Sequence, residues 1–402
     1  MIAALITVLS TCRSLSADDW SQWRGPRRDG VADAVHLPRD WLDRKPTLRW
    51  RVPLGEGYAA PVVAGDRVFT FGREQGSEVV QAHDLATGRV RWRYAYPVPY
   101  EVREMARAHG AGPKATPVAH DGRLYTVGAT EIVHCLDTET GRVRWRIDFP
   151  RRYGTTPPGY GACSSPLVHG RLLLVPAAGG VAAVNARGGA VVWRAMDDSF
   201  YSSLLVAPLA DFTQVVAFAR YRLVGLDPVD GRVLWNHSFP SMYGSNIATP
   251  VIWKDRLIIS SASRGTRALR MHQKAGQFVL EPLWQTSVLR AYLSSPVLHG
   301  GHLYGMDESG QLVCLSAEDG RTAWTQGNFG SYASLVLAGD QLLILSDSGD
   351  LTAIEATPLG YRPLGEQQVA DSATWTHLVV AGGCMFVRDR KGLTCFELPR
   401  ER

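Results

Sequence analysis

The chain has 402 residues, a formal net charge of +5, 45% hydrophobic and 20% charged residues, and 40 glycines. That balance fits one large globular domain and excludes a disordered chain, which would lack the apolar surface to fold. Nucleic acid is excluded as a partner, because the charge excess is small and no basic cluster or nucleic-acid-binding motif occurs.

Residues 2–9 form an apolar run, and Leu15-Ser16-Ala17 offers a cleavage site before Asp18. Residues 1–17 therefore read as a signal peptide, and the protein as exported to the periplasm or cell envelope. The run is too short to span a bilayer, so no transmembrane span is expected. Leu9-Ser10-Thr11-Cys12 lies close to a lipobox, which makes Cys12 a candidate lipid anchor. Residues 18–47 form an N-terminal extension, opening on the tryptophan- and arginine-bearing stretch 19–30.

From residue 48 onward one phrase recurs every 40 to 50 residues, a period that signals a propeller or solenoid. Its clearest copies are residues 82–92 (AHDLATGRVRW) and 135–145 (CLDTETGRVRW), with others ending at Trp193, Trp235 and Trp324. Each copy follows two apolar runs separated by Gly-bearing turns, so each unit reads as four short antiparallel strands. The Asp of the phrase can accept hydrogen bonds from the turn N–H groups, and its Gly supplies positive φ. The residue two before the Asp slot is small (Ala82, Cys135, Ala183, Gly225, Cys314, Ala353, Cys395) except for Arg270 in the stretched fifth unit. The residue between is large and apolar in most copies, so both faces of each sheet are packed.

Eight units are counted. The eighth, residues 378–397, supplies three strands, and its Trp strand is found at the other end, around Trp50. The expected fold is therefore an all-β, eight-bladed propeller over residues 48–398, closed by the strand at residues 48–52 in the last blade. The blade tryptophans are Trp50, Trp92, Trp145, Trp193, Trp235, Trp284 and Trp324, with Tyr361 standing in for the seventh blade. Cys135, Cys314 and Cys395 fill small slots in non-adjacent blades, and Cys163 and Cys384 have no evident mates. Free buried thiols are expected rather than disulfides.

The phrase Ala-x-Asp-x-x-Thr-Gly-x-x-x-Trp, recurring in register over nearly all of the mature chain, resembles the repeat of quinoprotein (PQQ) alcohol dehydrogenase-like β-propellers. The opening residues 19–30 (DWSQWRGPRRDG) are similar to the start of exported bacterial PQQ-repeat proteins. The resemblance implies that each Trp docks against the adjacent blade. It also implies two functional branches: PQQ-dependent dehydrogenases, and BamB-like outer-membrane assembly factors, which bind no cofactor.

In such a ring the first strand of each blade lines the channel. The residue before its Pro or Leu reads Ala60, Thr116, Ser165, Ser203, Thr249, Ser295, Ser334 and His377, mostly hydroxyls. These form either a polar funnel for a ligand or a set of groups satisfying crowded backbone. Lys114, Tyr201, Asn246, Tyr292, Trp375 and Arg388 lie close by and complete the candidate binding mouth. Two long connections, after Trp92 and after Trp145, open on the same end, and the first holds a short helix ended by Gly110.

The dehydrogenase branch would need calcium, a carboxylate and an amide beside the quinone. Asn246 and Glu101 are the available amide and carboxylate, but no acids converge in the first strands. His299-Gly300-Gly301-His302 is a turn shared with His120 and His169 rather than a metal site, and no metal is expected. Ser164-Ser165, Ser202-Ser203 and Ser294-Ser295 lack a His and Asp partner at any recognisable motif. The expected function is a non-catalytic, monomeric scaffold, free of cofactors, binding a protein, glycan or small ligand through the loop-rich channel face. The alternatives are a PQQ/Ca-dependent alcohol dehydrogenase-type oxidoreductase and a BamB-like assembly factor.

Overall fold

The computed structural model describes residues 19–198 and 200–399. The expected signal peptide, residues 1–17, and Cys12 fall outside them. The described chain forms eight antiparallel sheets, seven of four strands and one of five. In order along the ring the blades span residues 62–97, 118–148, 167–195, 205–238, 251–286, 297–326, 333–368 and 379–397. The last is completed by the strand Thr47–Pro53, whose Trp50 pairs with Cys395. Ring closure by the N-terminal strand is thus as expected. The fifth strand of blade seven, Val31–Ala32, pairs in parallel with residues 337–338.

The repeated phrase folds the same way in each complete copy. In blade one Asp84 Oδ1 accepts from the N–H groups of Ala86 (3.1 Å) and Thr87 (2.9 Å) and from the Thr87 hydroxyl (2.9 Å). Asp137 makes the same three bonds in blade two. The indole then reaches into the next blade. Trp50 Nε1 donates to Leu85 O (2.9 Å), Trp92 to Thr138 O (2.9 Å), Trp145 to Ala186 O (3.0 Å) and Trp193 to Pro228 O (3.1 Å). Trp284 and Trp324 do likewise, to Ala317 O (3.2 Å) and Thr357 O (2.8 Å). Each bond satisfies a turn carbonyl while the ring covers apolar surface, which ties burial to register.

Opposite each blade tryptophan sits a small residue. Trp92 pairs with Ala82, Trp145 with Cys135, Trp193 with Ala183, Trp235 with Gly225 and Trp324 with Cys314. In blade five the partner of Trp284 is Ala268, not Arg270. The ten-residue strands Gly265–Lys274 and Gln277–Thr286 extend this hairpin beyond the usual turn, so counting back from the turn misplaces the slot. With the register corrected, the small slot has no exception.

Two blades depart from the pattern for connected reasons. Blade five has no tight turn to receive Trp235, whose Nε1 instead donates to Gln214 Oε1 in its own blade. In blade seven the residue opposite Ala353 is Gly365, not Tyr361. A Cβ on Gly365 would lie 2.7 Å from Leu42 Cβ, so the N-terminal extension packs where an indole would be. Trp41 and Leu42 are buried there, with Trp41 Nε1 bonded to Gln341 Oε1 at 3.1 Å.

The five described cysteines are free. Cys384 and Cys395 do stand together: Cys395 pairs with Phe386, two residues from Cys384, on the same face of the sheet. Arg49 Nη1, from the closing strand, lies 3.1 Å from Cys384 Sγ. The Cys395 contact and Arg49 lower the Cys384 pKa to about 7. Cys384 therefore has a neighbour, hidden from sequence by the uncertain register of the closing blade.

Candidate functional site at the channel mouth

Antiparallel order puts the first and third turns of every blade at one end of the ring, the turn face. The second turns and the connections between blades lie at the other, the loop face. The long connections emerge there, carrying the 3₁₀ helix Glu104–His109, capped by Gly110, and the α-helix Phe149–Tyr153.

The hydroxyl ring is built from the backbone outward. The N–H of Ala60 donates to Thr116 Oγ1 (3.1 Å), that of Thr116 to Ser165 Oγ (2.9 Å), and that of Ser165 to Ser203 Oγ (3.1 Å). Thr249 N–H donates to Ser295 Oγ (2.9 Å) and Leu378 N–H to Ser334 Oγ (2.7 Å). The doubled serines divide the work. Ser164 Oγ donates forward to Phe200 O (3.1 Å), Ser202 Oγ to Ala248 O (3.2 Å) and Ser294 Oγ to Ala333 O. Each hydroxyl spans a gap between first strands that diverge too far for direct backbone pairing.

Three of the nearby polar residues are similarly engaged. Lys114 Nζ donates to Gly110 O (3.1 Å) and Gly112 O (3.4 Å), and burial lowers its pKa. Asn246 Nδ2 donates to Ala219 O, Arg220 O and Phe239 O, leaving Oδ1 buried without a partner among the described residues. Arg388 Nη1 donates to Ala59 O (2.6 Å) and Phe71 O (2.7 Å), and Nη2 to Gly55 O (3.0 Å). Burial lowers the Arg388 pKa to about 10, so it stays charged while tying blade eight to blade one.

The mouth itself is aromatic. Trp375 lies 5.2 Å from His109, 6.2 Å from Tyr58 and 6.1 Å from Tyr332, ring centre to ring centre. Tyr160 lies 5.4 Å from His109 and 5.9 Å from Tyr201. His109 and Tyr160 come from the two long connections. Burial raises the pKa values of Tyr201 and Tyr292, with neighbouring Tyr160 adding to both. Of the sequence-derived mouth residues, Tyr201 and Trp375 are joined in this cluster and Tyr292 borders it through Tyr160. Tyr58, His109, Tyr160 and Tyr332 were missed. A signal for two of them existed: the position two ahead of the hydroxyl ring holds Tyr58, Tyr201, Tyr332 and Trp375.

From the turn face the stretch 19–30 fills the channel. Trp20 exchanges backbone bonds with Val63 (2.9 and 3.0 Å), and Ser21 O accepts from Ala119 N–H (2.8 Å). Trp23 Nε1 donates to Thr249 Oγ1 (3.2 Å), and its ring meets His377 edge-on at 5.2 Å. Arg28 donates to Pro166 O (3.0 Å) and Ser165 O (3.3 Å), Arg24 to Pro296 O (2.6 Å), and Leu337 N–H to Gly30 O (2.9 Å). Seven of the eight blades are engaged. Burial lowers the pKa of Arg24 to about 10 and of Arg28 to about 9, the second helped by the first. Burial and Arg24 together lower His377 to about 3.

A calcium–quinone pair does not fit these residues. Asn246 offers one unpartnered oxygen, Oδ1, where calcium needs six or more oxygens, Glu101 is exposed on its connection, and no three His, Cys, Asp or Glu side chains among the described residues converge to hold a metal.

A family model described as "Outer membrane protein assembly factor BamB" matches residues 75–326. The chain belongs to this family. A BamB relative from Yersinia pestis is 22% identical over 384 residues, covering 90% of this chain and 92% of the relative. The crystal structure of BamB from Moraxella catarrhalis superposes with a TM-score of 0.64 at 14% identity, over 88% of this chain and all of that one. Quinohemoprotein alcohol dehydrogenase from Comamonas testosteroni superposes with a TM-score of 0.68 at 12% identity, over 96% of this chain and 81% of that one. The two solved structures share the ring. Membership in the BamB family thus leaves the mouth residues as the discriminating feature between branches.

Proposed function

We propose that this chain is an exported, non-catalytic propeller that serves as a protein-interaction scaffold in the cell envelope, working through its loop face. The observation that carries this reading is a contrast on that face. Lys114 Nζ, Asn246 Nδ2 and the Arg388 guanidinium are spent on backbone carbonyls, whereas large apolar side chains of the connections stand in solvent: Met105 is 69% exposed, Met242 62% and Tyr243 84%. Tyr243 is held there at a φ of 56°, a left-handed conformation unusual for a bulky residue. Arg103, Arg107, Arg220 and Arg264 on the same face make no ion pair among the described residues. Exposed aromatics and Met beside unpaired arginines match the composition of protein-binding surfaces. The relatives named as assembly factors support the same reading, and a lipid on Cys12 would favour a BamB-like role.

Two measurements test it. A photo-crosslinker at Tyr243 is expected to capture one defined envelope protein, and Met242→Ala is expected to reduce that capture. A crosslinker at Phe212, on the turn face, should capture none. Titration with PQQ and calcium is expected to give no saturable quinone absorbance and no dye-linked alcohol oxidation. A saturable signal with turnover would replace the scaffold reading by the dehydrogenase one.

A further inference from the structure

Two sequence motifs that the loop face leaves unused meet at the opposite end of the ring. The turn His299-Gly300-Gly301 of blade six and the stretch around Arg27 and Asp29 wall a groove of about 840 Å³, closed by the first turns of blades five and seven. Its size suits a small ligand. Trp253 lines it, the indole fixed by Lys254 Nζ at 4.2 Å and the Arg256 guanidinium at 4.9 Å from the ring centre.

The charged side chains along the groove are engaged with one another, with carboxylates in excess. Arg27 bridges Asp29 (2.8 Å) and Asp33, and Asp340 pairs with Arg39 at 3.4 Å. No guanidinium there is left to select an anionic ligand. What remains is the Trp253 ring, the imidazoles of His36 and His299, which have no side-chain hydrogen bond among the described residues, and the N–H groups of Gly300 and Gly301, whose carbonyls accept from His302 Nδ1 (3.1 Å) and Ala317 N–H (2.9 Å). A Cβ on Gly300 would meet nothing within 4 Å, and one on Gly301 would meet only Trp253 Cζ2, at 3.7 Å. Uncovered N–H groups therefore stand beside the edge of the indole. An apolar ring flanked by imidazoles and backbone N–H donors matches a pyranose, which has an apolar C–H face and a rim of hydroxyls.

We propose that this turn-face groove is a carbohydrate site, taking a neutral oligosaccharide with one sugar ring against Trp253 and its hydroxyls on His36, His299 and the N–H groups of Gly300 and Gly301. It is independent of the scaffold reading, which concerns the loop face.

The test uses the full mature chain on an array of immobilised neutral and sulfated oligosaccharides, including N-acetylglucosamine oligomers, glucans and galactans. The strongest ligand is then measured by calorimetry. At least one neutral oligosaccharide is expected to bind with a Kd of about 1 mM or tighter, and Trp253→Ala to weaken it at least about tenfold. The surface variant His36→Ala/His299→Ala is expected to weaken it roughly threefold or more, and serves alone if Trp253→Ala fails to fold. Tyr243→Ala, on the other face, should change nothing. A silent neutral array, retention of sulfated sugars alone, or unchanged binding by the folded groove variants overturns the assignment.

Discussion

Gly141 of blade two lies directly beneath the indole of Trp92 in blade one: a Cβ at Gly141 would sit 2.5 Å from Trp92 Cε3. The same contact joins Gly88 to Trp50, Gly189 to Trp145, Gly231 to Trp193 and Gly320 to Trp284. The glycine and the tryptophan of the repeated phrase are thus one interaction across a blade boundary. The glycine also needs its positive φ, 70° at Gly141. Gly65 separates the two demands, since its φ is 59° but a Cβ there would meet nothing within 4 Å. Gly65→Ala should cost only the left-handed backbone, about 1 kcal/mol. Gly141→Ala should cost that plus a displaced indole, roughly 3 kcal/mol in all. Urea unfolding of both variants checks the difference, and equal costs would show that the indole does not rest on the turn.

This contact also explains how much of the molecule was legible in sequence. The phrase ending at Trp92 or Trp145 specifies strand, turn and neighbour together, so the blade count and the closing role of Trp50 could be read directly. Blade five could not, because its hairpin is lengthened and the register of Ala268 against Trp284 is set by pairing rather than by distance from a turn. Blade seven failed for another reason: its missing indole is replaced by Trp41 and Leu42 from a distant segment. The mouth was half legible. First-strand hydroxyls were visible as a column, but their bonds run between blades, and His109 and Tyr160 reach the mouth from connections with no repeat to align. Nothing periodic marks the stretch 19–30, whose partners lie on seven blades.

The cysteine slots can be tested by size. Cys314 is fully buried opposite Trp324 and filled by alanine in other blades. Cys314→Ala should therefore cost less than about 1.5 kcal/mol, whereas Cys314→Leu should overpack the slot by about 1 to 3 kcal/mol. Urea midpoints of the two variants give the order. A larger loss for alanine than for leucine would mean that the slot is not limited by space.

Two buried groups should bend the pH dependence of stability in opposite directions. His134 packs tilted against Tyr96, ring centres 4.2 Å apart, with neither ring nitrogen partnered among the described residues, and burial lowers its pKa from 6.5 to about 3. The unfolded chain then binds more protons than the native one below pH 6.5, so this contribution is complete above 6.5 and lost as the pH falls toward 3. Burial raises Glu131 from 4.5 to about 7, so the native chain holds the extra proton. That contribution is complete below 4.5 and lost as the pH rises through 7. Glu131→Gln keeps an acceptor for the Ala178 N–H, which lies 3.0 Å from Oε2. It should gain up to about 3 kcal/mol on the parent at about pH 8 relative to about pH 4. His134→Leu should flatten the acid limb. Urea unfolding across this range decides both, and a Glu131→Gln advantage confined to low pH would reverse the assigned sign.

The stretch 19–30 should behave as a second clasp, distinct from the Trp50 strand. Its removal leaves the inter-blade hydroxyl bonds intact, because Thr116 and Ser165 N–H donate to side chains of neighbouring blades. Ala119 and Leu337 N–H, in contrast, donate to Ser21 O and Gly30 O and would lose their acceptors. Amide exchange on a chain lacking residues 19–30 should therefore speed up at Ala119 and Leu337 and change less at Thr116 and Ser165. Trp20→Ala, at a side chain only 1% exposed, should cost about 3 to 5 kcal/mol. Uniform acceleration of all four amides would instead make the stretch part of the global fold, since loss of a local clasp exposes only the groups it covers.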